Sequence, residues 1–306
     1  MSRILVSGLV NVETTVRVPA FPIPYYPINY PFFGVHTAVS GVARNIAGAL
    51  HALGDTAALC SMTGKDTAAG LIRGELDAMG ISCAEILPLL GQTPASAILY
   101  DDSGRRQIHC DLKDIQEQAY PFRPEHLDGC DIIAACNINF SRPLLSLAKA
   151  AGKPIATDVH VLSDPDDAYN REFMAAADIL FLSDEGLWDT PETCLWRLAE
   201  RYDTPLIALG RGSEGAMLFH REEQRIYSLP AAHVGQVVNT VGAGDALFSA
   251  FLHYYSKKFH PAEALLRAQL FAAAKIRCSG GAAGFVDEET VEELYCRHGD
   301  ALKCWW

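Results

Sequence analysis

The sequence lacks the cysteine and histidine patterns that mark disulfide-rich proteins and common zinc sites. Its nine cysteines are an odd number, and none of them form a Cys-x-x-Cys pair. This usage favours reduced thiols in a cytoplasmic protein over a disulfide framework or a cysteine zinc site. The ten histidines contain no His-Glu-x-x-His pattern, so the helical zinc motif of metalloproteases is missing as well.

Long apolar runs and an excess of basic residues are also missing. No apolar run approaches the roughly 18 residues that a membrane helix needs. The chain enters an apolar strand pattern at Ile4 without a basic and apolar signal segment before it. Its formal net charge of −12 disfavours nucleic acid and anionic membranes as partners. We therefore expect a cytoplasmic protein that binds neither nucleic acid nor a membrane.

What the sequence does contain is a globular composition and an alternation of strands and helices. Of its 306 residues, 49% are hydrophobic and 20% are charged, which is typical of a folded chain with a sizeable core. Buried-strand patterns at 3–10, 131–135 and 154–159 alternate with helical patterns such as 143–152. This alternation predicts a mostly parallel sheet with right-handed crossovers. With no internal repeat, residues 1–306 are expected to form one domain.

The stretch most suggestive of chemistry consists of Gly242, Ala243, Gly244 and Asp245, which open a helical pattern. A turn of small residues at a helix start leaves N–H groups free at the positive end of the helix dipole, where phosphate binds. An acid at that position would repel a bound anion. It is useful, however, if it removes a proton from a hydroxyl that then attacks the phosphate. The alternative is a simple aspartate cap after a glycine turn.

The stretch from Asn239 to Asp245 resembles the C-terminal signature of the ribokinase (PfkB) carbohydrate kinases, Asp-Thr-Thr/Val-Gly-Ala-Gly-Asp. The resemblance implies that Asp245 is the catalytic base and that the amides of Gly242, Ala243 and Gly244 form an anion hole. It also implies ATP and Mg²⁺ as cofactors. The first Asp of the signature is Asn239 here, near a loop that binds a monovalent cation in some members, which puts activation by such a cation in question.

Two further patterns lie near the N-terminus. Asn11 and Glu13 follow the first strand, at the end where parallel sheets bind ligands, and their spacing resembles the family's Gly-x-x-Asn-x-Asp. Gly41 and Asn45 lie in a pattern that resembles its N-terminal signature, Gly-Gly-x-x-x-Asn, with a serine as the first residue. The resemblance implies that these four residues orient the acceptor. The form Gly-Val-x-Arg-Asn is similar to that of pseudouridine kinases, which makes pseudouridine one specific alternative.

The nucleotide is assigned to three later segments. The resemblance implies ATP contacts from small and polar loop residues, namely Ser183, Gly210, Gly212, Gly215, Gly281 and Ala282. Around Ser183 the family has the motif Pro-Asn-x-x-Glu, which positions Mg²⁺-bound water. The corresponding Glu is Gly186 here, so Asp184 and Glu185 are the candidates to replace it. The small-residue loop 279–284 is expected to admit the adenine ring.

The segment 19–33 is the only compositional outlier, with five prolines and six aromatic residues. The prolines forbid a regular helix, and the aromatic side chains are costly to leave in water. We therefore expect the segment to pack against substrate or a partner subunit; a surface loop lying on the core is the alternative. The resemblance places it in a small β lid, formed by about 12–36 and 92–112, and implies a homodimer through that lid.

Taken together, the motifs from 8 to 284 predict a ribokinase-like α/β fold: a central, mostly parallel sheet with helices on both faces, plus a small β-sheet lid. The predicted activity is phosphoryl transfer from MgATP to a hydroxyl of a sugar or nucleoside. A function of another class, a non-catalytic binding or regulatory protein on a kinase fold, is suggested by the departures at Ser183, Gly186 and Asn239. The sequence does not specify which sugar or nucleoside is the acceptor, or which hydroxyl reacts.

Overall fold

The computed structural model describes residues 1–103, 105–278 and 280–303. Two residues of predicted loops lie outside the described residues: Gly104, in the turn of a hairpin, and Ser279, at the start of the expected adenine loop. Among the described residues, no helix combines the length and the apolar character that crossing a membrane would require.

The described chain contains thirteen strands and eight α-helices. The strands are β1 (Arg3–Ser7), β2 (Asn11–Arg17), β3 (Val35–Ser40), β4 (Thr56–Met62), β5 (Ile86–Leu87), β6 (Ala95–Tyr100), β7 (Arg106–Asp111), β8 (Ile132–Ala135), β9 (Ile155–Val161), β10 (Ile179–Ser183), β11 (Leu206–Gly210), β12 (Ala216–His220) and β13 (Arg225–Leu229). The helices are α1 (Val42–Ala52), α2 (Thr67–Ala78), α3 (Arg142–Ala150), α4 (Arg171–Ala176), α5 (Pro191–Tyr202), α6 (Ala243–Ser256), α7 (Pro261–Lys275) and α8 (Glu288–Leu302).

The strands form a large sheet and a small one. The large sheet has nine strands in the order β13-β12-β11-β10-β9-β8-β1-β4-β5. All neighbours from β11 to β5 are parallel, and β12 and β13 add an antiparallel edge. The small sheet has the order β3-β2-β6-β7. Its strands β2, β6 and β7 come from the two segments assigned to the lid, about 12–36 and 92–112, whereas β3 begins in the first segment and extends past it to Ser40. The predicted ribokinase-like α/β fold is confirmed.

Alternate residues of β1 show why the large sheet carries helices on both faces. Ile4 belongs to the same buried cluster as Phe248 of α6 and Phe271 of α7. Its neighbour Leu5 belongs to a second cluster, with Leu144 of α3. A strand covered on both sides needs apolar residues at every position, which is why this segment has no polar alternation.

The helix starts differ in a way that matters for function. The Asp66 side chain caps α2 by accepting a hydrogen bond from the N–H of Ala69 at 3.0 Å. Asp287 caps α8 in the same way. By contrast, α6 begins after Gly242, at a left-handed φ of 76°, with no side-chain cap. No side chain therefore occupies the N–H groups of its first turn.

The proline and aromatic segment connects β2 to β3. Its large side chains point outward: Tyr25 is 88% exposed and Phe33 is 98% exposed. The Arg105 guanidinium holds one end of the segment, where it donates a hydrogen bond to the carbonyl oxygen of Phe21 at 3.1 Å. These aromatic side chains therefore do not pack on the core of the chain itself. Packing of the segment against substrate or a partner subunit stays a prediction.

Candidate active site

Two cavities open beside the N-terminus of α6. The first measures about 520 Å³ and is lined by the glycine loop between β11 and β12 and by Gly244. The second measures about 970 Å³ and is lined by residues of the small sheet and by Gly281. Thr240 and Arg106 line both cavities. The turn that precedes α6 thus lies between two binding spaces, as transfer of a group between two substrates requires.

Asp245 lies in the first turn of α6 and is buried. Its Oδ2 accepts a hydrogen bond from Nδ2 of Asn45 at 2.7 Å. Burial raises the pKa of Asp245 above its ordinary value, while the charge of His160 and the hydrogen bond from Asn45 act in the opposite direction. A carboxylate with a raised pKa is a stronger base, which suits proton abstraction near neutral pH.

The predicted anion hole is partly available. No described residue accepts a hydrogen bond from the N–H of Gly242 or of Gly244, whereas the N–H of Ala243 donates to the carbonyl oxygen of Thr240 at 3.1 Å. A Cβ atom at Gly242 would lie 2.4 Å from the carbonyl oxygen of Gly281, so only glycine fits there. Two free N–H groups at the positive end of α6 suit an oxyanion, and the assignment of the anion hole stays a prediction.

Three of the predicted acceptor residues carry oxygen atoms that suit hydroxyl donors. Asn11 and Asn45 are buried, and within the described chain neither side-chain Oδ1 has a hydrogen-bond partner. Glu13 lines the second cavity, and its Oε2 accepts a hydrogen bond from the hydroxyl of Ser40 at 3.2 Å. Burial raises the pKa of Glu13, against the effect of that hydrogen bond. Buried oxygen atoms without partners are costly, and the hydroxyls of a sugar would satisfy them.

Gly41 precedes α1 at a φ of 106°, and an added Cβ would lie 2.5 Å from the carbonyl oxygen of Leu9. The N–H of Ala43 donates to the same oxygen at 3.1 Å. The close backbone approach that glycine permits at this position is therefore to the protein's own chain. Gly41 helps to set the start of α1, and so the position of Asn45.

The residues predicted to bind ATP divide between the two cavities. Four of them line the first cavity: Ser183, Gly210, Gly212 and Gly215. Gly215 has a φ of 99°, and an added Cβ would lie 2.0 Å from the carbonyl oxygen of Leu229, so this turn requires glycine. Gly281 and Ala282 line the second cavity instead. Their assignment to the adenine ring stays a prediction.

Neither of the two acids expected near magnesium lines the first cavity. Glu185 is exposed, Asp184 donates its N–H to the carbonyl oxygen of Gly210 at 3.0 Å, and neither residue lines the first cavity. A separate group of three potential metal ligands, His220, Glu223 and His260, lines neither cavity.

Sequence reasoning missed Asp158 and His160, which line the first cavity beside Gly244. The pairing of β9 with β10 shifts register there, and His160 adopts a left-handed φ of 60°. Bulges and positive φ values of this kind often redirect side chains at functional sites. Asp158 lies at the end of the predicted buried strand 154–159 and His160 directly follows it, so position at a strand end, the signal that selected Asn11 and Glu13, could have found them.

The two residues form an ion pair. His160 Nδ1 lies 3.4 Å from Oδ2 of Asp158, and the N–H of His160 donates to Oδ1 at 2.8 Å. The charge of Asp158 raises the pKa of His160 to about 9. Burial favours the neutral form of Asp158, but the charge and hydrogen bonds of His160 hold the pKa of Asp158 below its ordinary value. The imidazole is therefore a cation at neutral pH.

Comparison with known proteins agrees with this geometry. The family model described as "pfkB family carbohydrate kinase" matches residues 1–288. An ATP-dependent ribose-1-phosphate kinase from Halopiger xanaduensis is 28% identical over 258 residues, covering 82% of this chain and 84% of that protein. An acarbose 7(IV)-phosphotransferase from Actinoplanes sp. is 25% identical over 254 residues, covering 81% and 83% of the two chains. The solved structure of Arabidopsis thaliana ribokinase with ribose and ATP matches with a TM-score of 0.80 at 19% identity, over 96% of this chain and 99% of that one.

Proposed function

We propose that this chain, which belongs to the pfkB family of carbohydrate kinases, uses Asp245 to activate an acceptor hydroxyl for attack on the γ-phosphate of ATP. Family membership makes the chain a phosphotransferase of the sugar and nucleoside kinase type. One observation carries the assignment of the base: Asp245 is a buried carboxylate with a raised pKa in the first turn of α6, directly after Gly244, which lines the first cavity and has a free N–H group.

The second cavity is proposed to hold the acceptor. Glu13 lines this cavity and accepts hydrogen bonds from the hydroxyls of the acceptor. Asn11 and Asn45 are buried and do not line the cavity; their Oδ1 atoms, unpaired within the described chain, are proposed to accept from the same molecule. Asn45 holds Oδ2 of Asp245, which leaves Oδ1 of that carboxylate to take the proton of the reacting hydroxyl. The hydroxyl oxygen then forms the new bond to phosphorus, while the bond from phosphorus to the ADP oxygen breaks. This order of events needs the base and the acceptor to lie on the same side of the turn before α6.

The first cavity is proposed to hold ATP. The free N–H groups of Gly242 and Gly244 face the developing negative charge of the transferring phosphoryl group, a preorganised arrangement that stabilises a transition state. His160 and Arg106 line the same cavity and supply positive charge. Mg²⁺, when it enters with ATP, neutralises phosphate charge. Since neither Asp184 nor Glu185 lines this cavity, no residue is assigned to the ion.

A specific pseudouridine acceptor has no support beyond one sequence pattern. That pattern includes Arg44, which is buried and donates from Nε to Glu75 Oε1 at 3.1 Å and from Nη1 to the carbonyl oxygen of Ala282 at 2.8 Å. These bonds join α1, α2 and the loop after α7. Arg44 therefore has a structural reason to be present, whichever acceptor is used.

We further propose a homodimer formed through the small sheet. Val35 on β3 and Ile108 on β7 are exposed, and they add to the exposed aromatic side chains of the segment between β2 and β3. So many exposed large apolar side chains on one small sheet and its connecting segment are typical of a contact with another protein.

The proposed activity is tested by measuring ADP release from MgATP across a panel of pentoses, hexoses and nucleosides, with pseudouridine included. With a reactive acceptor, Asp245→Asn should lower kcat by about a thousandfold, the order expected for loss of a general base, while nucleotide binding persists. Asp300→Asn, at an exposed position on α8, is the matched control and should retain full activity. Near-normal turnover in Asp245→Asn would refute the assignment of the base.

A further inference from the structure

Lys275, the last residue of α7, has a fully buried side chain, with 0% of its surface exposed. Its ammonium group donates hydrogen bonds to two backbone carbonyl oxygens, one of Val241 and one of Gly280, the latter at 2.9 Å. Burial lowers the pKa of Lys275 to about 8, while the charges of Asp245 and Glu13 favour the charged form. Because a buried charge is costly, its position calls for a functional explanation.

The two carbonyl groups belong to the two loops that meet at the proposed site. Val241 lies in the turn that leads into α6, and Gly280 lies in the loop after α7. The N–H groups of Val238 and Asn239 donate to the carbonyl oxygen of Ile276 at 2.9 and 3.1 Å, so the turn is also tied to the end of α7. Lys275 thus links these two loops. The positions of the free N–H groups of the anion hole depend on that link.

The uncharged side chain of Asn239 also orients the turn before α6. Its Oδ1 accepts a hydrogen bond from the N–H of Val241 at 2.8 Å, which turns the carbonyl oxygen of Val241 toward the lysine. Backbone carbonyl oxygens that converge on one positive charge are the arrangement that binds K⁺ in other proteins. An ammonium group is a compact charge and makes the same kind of contacts. In this protein the Lys275 ammonium therefore supplies the positive charge that a bound ion would otherwise supply.

We propose that the Lys275 ammonium is a built-in cation that holds the turn 238–242 against the loop 280–284, so that this protein needs no monovalent cation. The inference rests on the proposed function, since it concerns the turn assigned to the transferring phosphoryl group. Lys275 is a positioning residue: it acts through the backbone of that turn. The residues present do not fit the monovalent cation that some members of the family bind near this turn, because the lysine already uses the carbonyl groups.

The wild-type protein provides the first test. Its thermal unfolding temperature and its affinity for a non-hydrolysable ATP analogue are measured in KCl and in tetramethylammonium chloride at equal ionic strength. We expect both quantities to be the same in the two salts. A clear rise of either quantity in KCl would overturn the proposal. Neither measurement needs an acceptor, so both decide the question even if wild-type protein phosphorylates nothing in the panel, an outcome that would count against the proposed function alone.

Two variants provide the second test. Lys275→Ala and Lys275→Met should each weaken binding of the ATP analogue by about tenfold to a hundredfold, the range for loss of hydrogen bonds from a charged group. KCl or ammonium chloride should restore binding in Lys275→Ala, which leaves space for an ion, but not in Lys275→Met, whose side chain fills that space. Lys153→Met is the control, because Lys153 also donates to a backbone carbonyl oxygen, that of Cys130 at 2.8 Å, away from both cavities.

The results that support the built-in cation differ from those that would overturn it. Restoration by K⁺ or ammonium, but not by tetramethylammonium, in Lys275→Ala supports the built-in cation. Full nucleotide affinity in Lys275→Met without added ions would overturn it, as would an Ala variant that stays weak in all three salts. If both variants fail to fold, the wild-type comparison of KCl with tetramethylammonium chloride still decides.

Discussion

Asn45 donates a hydrogen bond from Nδ2 to Oδ2 of Asp245, at 2.7 Å, across 200 positions of the chain. The bond joins α1 to the first turn of α6 and orients the proposed base. The Oδ1 of the same amide has no partner within the described chain, so one side chain is able to hold the base and contact the acceptor together. Sequence reasoning assigned Asn45 to the acceptor alone.

This double role predicts two effects of Asn45→Leu. Loss of the donor lets the carboxylate rotate and removes a bond that favours its charged form, so the acid limb of the pH–rate profile should move to higher pH. The value of kcat should fall by about tenfold or more, as expected for loss of a hydrogen bond to a charged group. Steady-state kinetics as a function of pH provide the check.

Asn11→Leu is the matched comparison for that variant. Asn11 donates from Nδ2 to the hydroxyl of Ser96 at 2.9 Å, whereas the hydrogen bond to the Asp245 carboxylate comes from Asn45. Asn11→Leu should therefore raise KM for the acceptor and leave the acid limb in place. An equal shift of the acid limb in both variants would contradict the role assigned to Asn45.

His160→Asn should remove a cation from the nucleotide cavity. Since the charge faces the proposed position of the γ-phosphate, ATP binding should weaken by about tenfold, with a much smaller effect on ADP. His160→Lys should recover part of the difference because it restores a positive charge. Calorimetric titration of an ATP analogue and of ADP measures both affinities.

His51→Asn is the control for this change, because His51 is exposed at the end of α1 and lines neither cavity. It should leave both affinities unchanged. If His160→Asn weakened ADP and ATP binding equally, the imidazole would support the cavity wall rather than contact the terminal phosphate.

The pH dependence of kcat should be bell-shaped. The rate should rise as Asp245 loses its proton, at a pH above the ordinary range for aspartate because burial raises its pKa. It should decline at higher pH as two cations lose their charge, first Lys275, with a pKa of about 8, and then His160, with a pKa of about 9. In His160→Asn the decline of kcat near pH 9 should disappear, while the decline near pH 8 persists. If the wild-type protein and His160→Asn had the same basic limb, that result would argue against a charged His160.

The proposed dimer predicts an effect of the exposed aromatic side chains on association. Wild-type protein should sediment as a dimer, and the double variant Tyr25→Ser with Phe33→Ser should sediment as a monomer. Its thermal stability as a monomer should be little changed, because the two side chains are 88% and 98% exposed. Leu71→Ser, at a 52% exposed position on α2, is the control and should remain a dimer. A monomeric wild-type protein would refute the proposal.

Much of this protein follows from its sequence alone. The continuous apolar character of strands such as β1 required cover on both faces, and so predicted the layered α/β fold. Local patterns were equally informative where the chemistry depends on neighbouring residues. Glycine, a free helix start and an acid occur together between Gly242 and Asp245, and backbone geometry within that one turn brings their groups to the same place.

Only the tertiary structure decided which distant groups meet. The bond from Asn45 to Asp245, the placement of Asp158 and His160 of β9 beside Gly244 of α6, and the contact of Lys275 with Val241 each join different elements. None of them has a sequence signature, because a side chain's partner depends on strand order, register and loop packing. A lysine at the end of an apolar helix is normally solvated. Here the loop after α7 folds back over Lys275, so its ammonium group is buried and contacts the turn of the proposed site.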